Sequence, residues 1–138
     1  LLLGNLNAKG DWGHAKDYAE AQWPMLQQEN LEDVVIATGT KHSVRDFIKE
    51  DSINLDTKIH WRGEVLDEIG PYDGQDIIKI DPRYFRPSEV ETLLGDSSKA
   101  KKKLNWFPKI SFEQLVKEMT DTDYKLEQQK KLFNKLKF

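Results

Sequence analysis

The sequence contains no cysteine, which removes disulfides, thiolate metal sites and a cysteine nucleophile from consideration. No run approaches the roughly 20 apolar residues of a membrane-spanning helix. Leu1-Leu2-Leu3 is too short for the apolar core of a secretory signal and has no basic flank. There is no Gly-x-Gly-x-x-Gly and no phosphate-cradling Gly-Lys-Ser/Thr loop. Tyr18, Tyr72, Tyr84 and Tyr124 are followed four positions on by Gln22, Asp76, Ser88 and Gln128, so none forms a Tyr-x-x-x-Lys pair. His14, His42 and His60 are far apart and lack ligand spacing; His14 reads as a helix cap.

What is present is a polar globular composition: 138 residues, 38% hydrophobic and 33% charged, enough for one modest core. The net charge of −3 is spread along the chain. No broad basic face of the kind that phosphate backbones require is visible, which argues against a nucleic-acid partner. A cytoplasmic setting is the simplest reading. The opening Leu1-Leu2-Leu3-Gly4-Asn5 reads as the end of a buried strand, and predicts a fragment truncated on its N-terminal side.

Periodicity predicts a first helix over 13–28, with Pro24 kinking or ending it near Trp23. The β-branched run Val34-Val35-Ile36-Ala37-Thr38 predicts a strand buried on both faces. Ser43, with Asp46 three residues on, predicts a capped helix start. Lys58-Ile59-His60-Trp61 alternates like a short strand, 63–76 reads as a loop, and Ile77-Ile78-Lys79-Ile80 as a further strand. Asp96 is placed to cap a helix over 97–104. Ser111 with Gln114 forms a capping box for a last helix, whose apolar stripe runs from Phe112 to Phe133. Its Lys- and Gln-rich end, from Lys125, is expected to fray.

The informative segment is Tyr84-Phe85-Arg86-Pro87-Ser88-Glu89-Val90, followed by Gly95-Asp96-Ser97-Ser98-Lys99-Ala100 and Leu104-Asn105-Trp106-Phe107-Pro108. Arg86 and Glu89 flank a rigid proline turn. An arginine there can hold a phosphate oxygen, and a carboxylate three residues on can accept both hydroxyls of a ribose. The two could equally pair with each other at the surface, and from the residues alone that is the simpler reading.

These segments, in this order, resemble the C-terminal lobe of extended short-chain dehydrogenase/reductases acting on nucleotide sugars. Further stretches are similar to the GDP-mannose 4,6-dehydratases within that family. They are Gly4-Asn5-Leu6-Asn7-Ala8-Lys9-Gly10-Asp11-Trp12-Gly13-His14-Ala15-Lys16-Asp17-Tyr18, Ile36-Ala37-Thr38-Gly39 with His42-Ser43-Val44-Arg45, and Trp61-x-Gly63 with Glu68-x-Gly70. The resemblance covers residue 1 to about Met119.

The resemblance implies an α/β fold: a C-terminal substrate-binding lobe with a remnant of the Rossmann sheet over 1–120; the residues beyond it read as a charged helical tail over 121–138. It implies a lyase that converts GDP-mannose to GDP-4-keto-6-deoxymannose, on the route to GDP-fucose, with NADP taking a hydride from C4 and returning it at C6. The family's cofactor loop and acid-base residues have no counterpart here, so no catalytic residue, no bound cofactor and no metal are assigned to this chain, which alone should be inactive. Arg86 would contact diphosphate or ribose, Glu89 the ribose hydroxyls and Asn5 the nucleotide, with Lys16 and Arg45 as further substrate-binding candidates. Asp96 and Trp106 read as structural. The partners implied are GDP-mannose and either the missing N-terminal cofactor domain or a second copy of the chain. Two positions depart from the family: Gly10 stands where it usually has a diphosphate-binding arginine, and Pro24 interrupts a helix. A lobe that binds nucleotide sugar without turnover, or one without ligand, are the alternatives.

Overall fold

A computed structural model describes residues 1–86 and 94–136. The elements in chain order are β1 (Leu2–Leu3), β2 (Lys9–Asp11), α1 (Ala15–Leu26), β3 (Lys41–Ser43) and α2 (Val44–Asn54). A short 3-10 turn (Val65–Asp67) follows, then β4 (Ile69–Tyr72), β5 (Gln75–Ile80), α3 (Ser98–Leu104) and α4 (Phe112–Leu136). One sheet has the order β1-β5-β4, with β1 parallel and β4 antiparallel to β5. A second sheet pairs β2 with β3 antiparallel, Gly10 opposite His42. The result is an α/β arrangement.

Local chemistry explains most boundaries. Ser43 Oγ accepts from the Asp46 N–H at 3.1 Å, and Asp46 Oδ2 accepts from the Ser43 N–H at 2.8 Å, closing the expected capping box of α2. Ser111 and Gln114 reciprocate in the same way at the start of α4. Asp96 Oδ1 accepts from the Ser98 N–H at 2.9 Å where α3 begins, and Asn105 closes α3 in the left-handed region at φ 49°. His14 caps α1, its Nδ1 accepting from the Lys16 N–H at 3.0 Å.

Two small cores hold the layers. Leu6, Ile48, Ile78 and Ile80 are buried together between α2 and the sheet, flanked by Ile59, Trp61 and Phe85. Ala21, Ala100 and Trp106 bring α1 against α3, and Val34 and Ile36 pack over them. Trp106 is the expected anchor: its Nε1 donates to the Asp17 carbonyl at 3.0 Å. Asp17 Oδ2 in turn accepts from the Lys109 and Ile110 N–H groups, each at 3.0 Å, tying α1 to the connection before α4.

Five expectations need correction. Residues 34–38 join no ladder among the described residues, and they are not buried on both faces: Val35 is 52% exposed. The helices cover one side only, and Asp11 holds the end of the segment by accepting from the Thr38 and Gly39 N–H groups at 2.9 and 2.8 Å. Residues 58–61 alternate in burial, with Ile59 and Trp61 inward, yet form no strand; only Arg62 bridges to Ile69. The 63–76 loop contains β4 and most of a hairpin, turned by Asp73 (φ 49°) and Gly74 (φ 75°), the pair of positive-φ residues that a type I′ turn demands. α1 runs through Pro24 and ends at Leu26, three residues beyond Trp23; the proline cannot donate to the Glu20 carbonyl, so the last turn lacks one hydrogen bond. α4 continues to Leu136, past the point where fraying was expected.

Candidate functional site

The parallel pairing of Leu2 with Lys79 and Leu3 with Ile80 sends two chain segments off the same end of the sheet. Residues 4–8 leave the carboxyl end of β1, and residues 81–86 leave the carboxyl end of β5. In open α/β sheets, ligands bind beyond the carboxyl ends of parallel strands. The Asp81 N–H donates to the Leu3 carbonyl at 2.8 Å, extending the pairing past both strands. A Cβ on Gly4 would lie 2.2 Å from the Tyr84 carbonyl oxygen, so only glycine lets the two segments come this close.

Asn5 and Arg86 stand on these two segments. Asn5 Oδ1 accepts from the Asn7 N–H at 2.9 Å, which orients the side chain and leaves its amide N–H group without a partner among the described residues. Arg86 is exposed and pairs with no described residue. Its neighbour Arg83 is committed elsewhere, donating to Asp81 through Nε and Nη2 at 3.0 and 2.6 Å. The Arg83 hydrogen bonds hold the Asp81 carboxyl below its usual range. Glu89 lies outside the described residues.

The other two candidates are placed differently. Arg45, in the first turn of α2, donates from Nη1 and Nη2 to the Glu68 carboxylate at 2.6 and 2.9 Å and from Nε to Asn7 Oδ1 at 3.2 Å. Its guanidinium lies 4.9 Å from the Trp61 ring. It therefore borders the Asn5 turn through Asn7, but as a braced cation. Lys16 points away from the group, toward Glu118 of α4 at 3.3 Å, where His14 Nε2 also reaches Glu118 at 3.3 Å.

A cleft of ≈ 450 Å³ opens beside Gly10, lined by Trp12, Tyr18, Ala37, Leu94 and Gly95. Sequence reasoning singled out Gly10 but missed the cleft, because Leu94-Gly95 and Val35-Ala37 meet only in the folded chain. Gly95 is the enabling residue: a Cβ there would fall 2.4 Å from the Ala37 Cβ. Burial first, then the nearby Asp11 and Asp17 carboxylates, push the Tyr18 hydroxyl pKa up, so it stays protonated at the cleft wall. The described residues contain no cluster of three or more metal-ligating side chains, and no described helix is long and apolar enough to cross a membrane.

Comparison with known proteins gives the family and the fold. The GDP-mannose 4,6 dehydratase family matches residues 1–119. A GDP-mannose 4,6 dehydratase of Drosophila melanogaster is 51% identical over 126 residues, covering 90% of this chain and 32% of that protein. One from Dictyostelium discoideum is 55% identical over 125 residues, covering 89% of this chain and 35% of its own length. The chain thus spans about a third of the length of these curated relatives. Among solved structures, RMD from Pseudomonas aeruginosa complexed with NADPH superposes with a TM-score of 0.63 at 17% identity, covering 85% of this chain and 33% of that one. A putative epimerase from Burkholderia cenocepacia J2315 gives 0.69 at 20% identity, covering 88% of this chain and 35% of that one. At such identities the likeness is one of fold.

Proposed function

The chain belongs to the GDP-mannose 4,6-dehydratase family, and we propose that it forms the part of such an enzyme that grips the GDP end of GDP-mannose. In the whole enzyme the sugar would lose water to become the 4-keto-6-deoxy product. Arg86 would donate to diphosphate or ribose, Glu89 would accept from the ribose hydroxyls, and Asn5 would donate its free amide to the nucleotide. Arg45 would support the Asn5 turn from behind, and Lys16 would add positive charge at the periphery. Binding energy collected on a handle of this kind positions the hexose for chemistry done by other residues. A cytoplasmic setting belongs to the same proposal.

NADP is the hydride carrier the family implies. The described residues do not fit it: the turn after β1 leads into another strand and not a helix N-terminus, and Gly4 packs against the Tyr84 carbonyl instead of leaving room for a pyrophosphate. This chain's contribution is therefore confined to holding substrate, and catalysis is assigned to residues outside it, in the remaining two thirds of such a protein or in a partner.

The observation that supports this reading is the placement of Asn5 and Arg86 on two closely packed segments beyond the carboxyl ends of β1 and β5, each with donors that no described residue uses. Thermal melting with GDP-mannose tests it. A ligand at 100 times its Kd should stabilise the native state by about 2.7 kcal/mol. The stabilisation should be lost in Arg86→Ala. No shift at millimolar GDP-mannose, or a shift that Arg86→Ala leaves unchanged, would overturn the proposal.

A further inference from the structure

The second half of α4 reaches away from the rest of the molecule. Val116 and Thr120 are buried against α2, where Thr120 Oγ1 donates to Asp51 Oδ1 at 2.5 Å. α2 ends at Asn54, and every residue from Thr122 to Lys135 is exposed. This portion follows the family match, which ends at Met119.

The exposed portion nonetheless carries an ordered apolar stripe. Met119, Leu126 and Phe133 recur every seven residues and are 45%, 48% and 69% exposed. Seven residues are close to two helical turns, so the three share one face. Charge is divided along the same helix. Residues 113–123 hold four carboxylates and one lysine, whereas residues 125–135 hold four lysines and one glutamate. A partner helix must therefore present apolar residues at the same spacing with the opposite order of charge. Running antiparallel, α4 itself meets both conditions.

We propose that α4 is a self-association surface on which two copies of this chain pair antiparallel about a two-fold axis at Leu126. In that register Leu126 packs on its own mate, and Met119 of each copy meets Phe133 of the other. Asp123 and Lys130 each lie four residues beyond a stripe position, on the same flank. The two-fold brings Asp123 of one helix beside Lys130 of the other, twice. Asp123 pairs with no described residue, and Lys130 reaches Glu127 within its own helix at 2.5 Å, an exposed contact that is easily exchanged. A parallel pair would set acid against acid and base against base, so charge selects the antiparallel orientation.

Sedimentation equilibrium of the 138-residue chain, from low to high micromolar concentration, tests the proposal. The expected result is a reversible dimer that weakens with salt and is indifferent to GDP-mannose. Phe133→Asp should give a monomer with unchanged circular dichroism per chain before α4 fraying, since Phe133 touches no core. Lys130→Asp should weaken the dimer about tenfold, as two repeated ion pairs are replaced by two repulsions. Adding Asp123→Lys to it should restore association. A chain that stays monomeric overturns the proposal, as does a dimer that Phe133→Asp and Lys130→Asp leave intact, which would put the contact elsewhere, for instance at the exposed Leu1–Leu2 edge. Failure of the double exchange to rescue would also sink it. None of these outcomes bears on nucleotide-sugar binding, whose test uses Arg86.

Discussion

Arg45 and Glu68 are joined by two nearly parallel hydrogen bonds, at 2.6 and 2.9 Å, that tie the first turn of α2 to the strand-entry loop of β4. Their side chains are 29% and 12% exposed, so this is a partly desolvated pair. The hydrogen bonds that Arg45 donates to Glu68 lead the influences that raise the Arg45 pKa and keep it charged. The fork geometry is one that only arginine supplies.

Removing Arg45 should therefore act first on stability. Arg45→Ala leaves Glu68 without its bidentate donor, and the expected loss is about 2–4 kcal/mol, below the cost for a fully buried pair because the site is still reached by solvent. Lys16→Ala, which removes an exposed contact to Glu118, should stay within about 0.5 kcal/mol. Urea denaturation of the two variants checks both figures; equal losses would contradict the structural distinction.

Gly4→Ala probes the closeness of the two segments at the site. Its Cβ would overlap the Tyr84 carbonyl oxygen, which is backbone and cannot rotate away. Overpacking of this kind costs about 1–3 kcal/mol. Because the strain is relieved by parting residues 4–5 from residues 84–86, affinity for GDP-mannose should fall together with stability. Calorimetric titration and thermal melting should show both effects; a loss of stability with affinity intact would uncouple Asn5 from Arg86.

Gly10→Arg reintroduces the cation that relatives are expected to have at this position. One charge-assisted phosphate contact contributes about 1.5–3 kcal/mol, or roughly tenfold to a hundredfold in affinity. A Cβ at Gly10 would meet Trp12 Nε1 at 2.7 Å, so the indole must shift and some stability should be lost. Tighter GDP-mannose binding with a lower melting temperature is the expected signature. Unchanged binding would place the cleft beside Gly10 outside the substrate path.

The α2 capping box should leave a mark on pH dependence. The Ser43 N–H, then the Ser43 hydroxyl, hold the Asp46 carboxyl below the usual range in the folded chain. The folded state then binds fewer protons than the unfolded state between the folded value and about 3.9, so stability rises with pH through that window. The contribution is full above about pH 4 and is lost as pH falls through the folded-state value. Asp46→Ala should cost about 1 kcal/mol at pH 7, and the gap between variant and wild type should narrow steadily below about pH 4. A gap that is constant from pH 7 to pH 2.5 would mean that the carboxylate is not the capping species.

Features governed by short-range hydrogen bonding were legible without coordinates. Ser43 with Asp46, Ser111 with Gln114, and Asp96 before Ser98 satisfy helix-end donors that lie within three residues of them. The order of motifs also exposed the family, and the candidate residues Asn5 and Arg86 fall on the two segments that leave the same end of the β1-β5 pair. The misread segments share a different character. Val34 to Thr38 has the composition of a strand, but a strand is defined by a neighbour, and none of the described residues pairs with it. Asp73-Gly74 was a readable turn signal, overlooked because the acidic composition around it suggested a loop. In α4 the apolar period was real along the whole helix, yet α2 is too short to cover more than its first half.

Local propensity, capping and family resemblance thus follow from the chain itself, because the interactions responsible act over a few residues and the motifs stand in a recognisable order. Pairings across long sequence separations do not. The approach of Gly4 to Tyr84, the capture of Arg45 by Glu68, the clamp of Asp17 on Lys109 and Ile110, and the cleft closed by Gly95 depend on which segments the sheet and the two cores bring together. Those contacts were decided by tertiary packing, since the loop-closure entropy they cost is offset only when the surrounding apolar groups are buried at the same time.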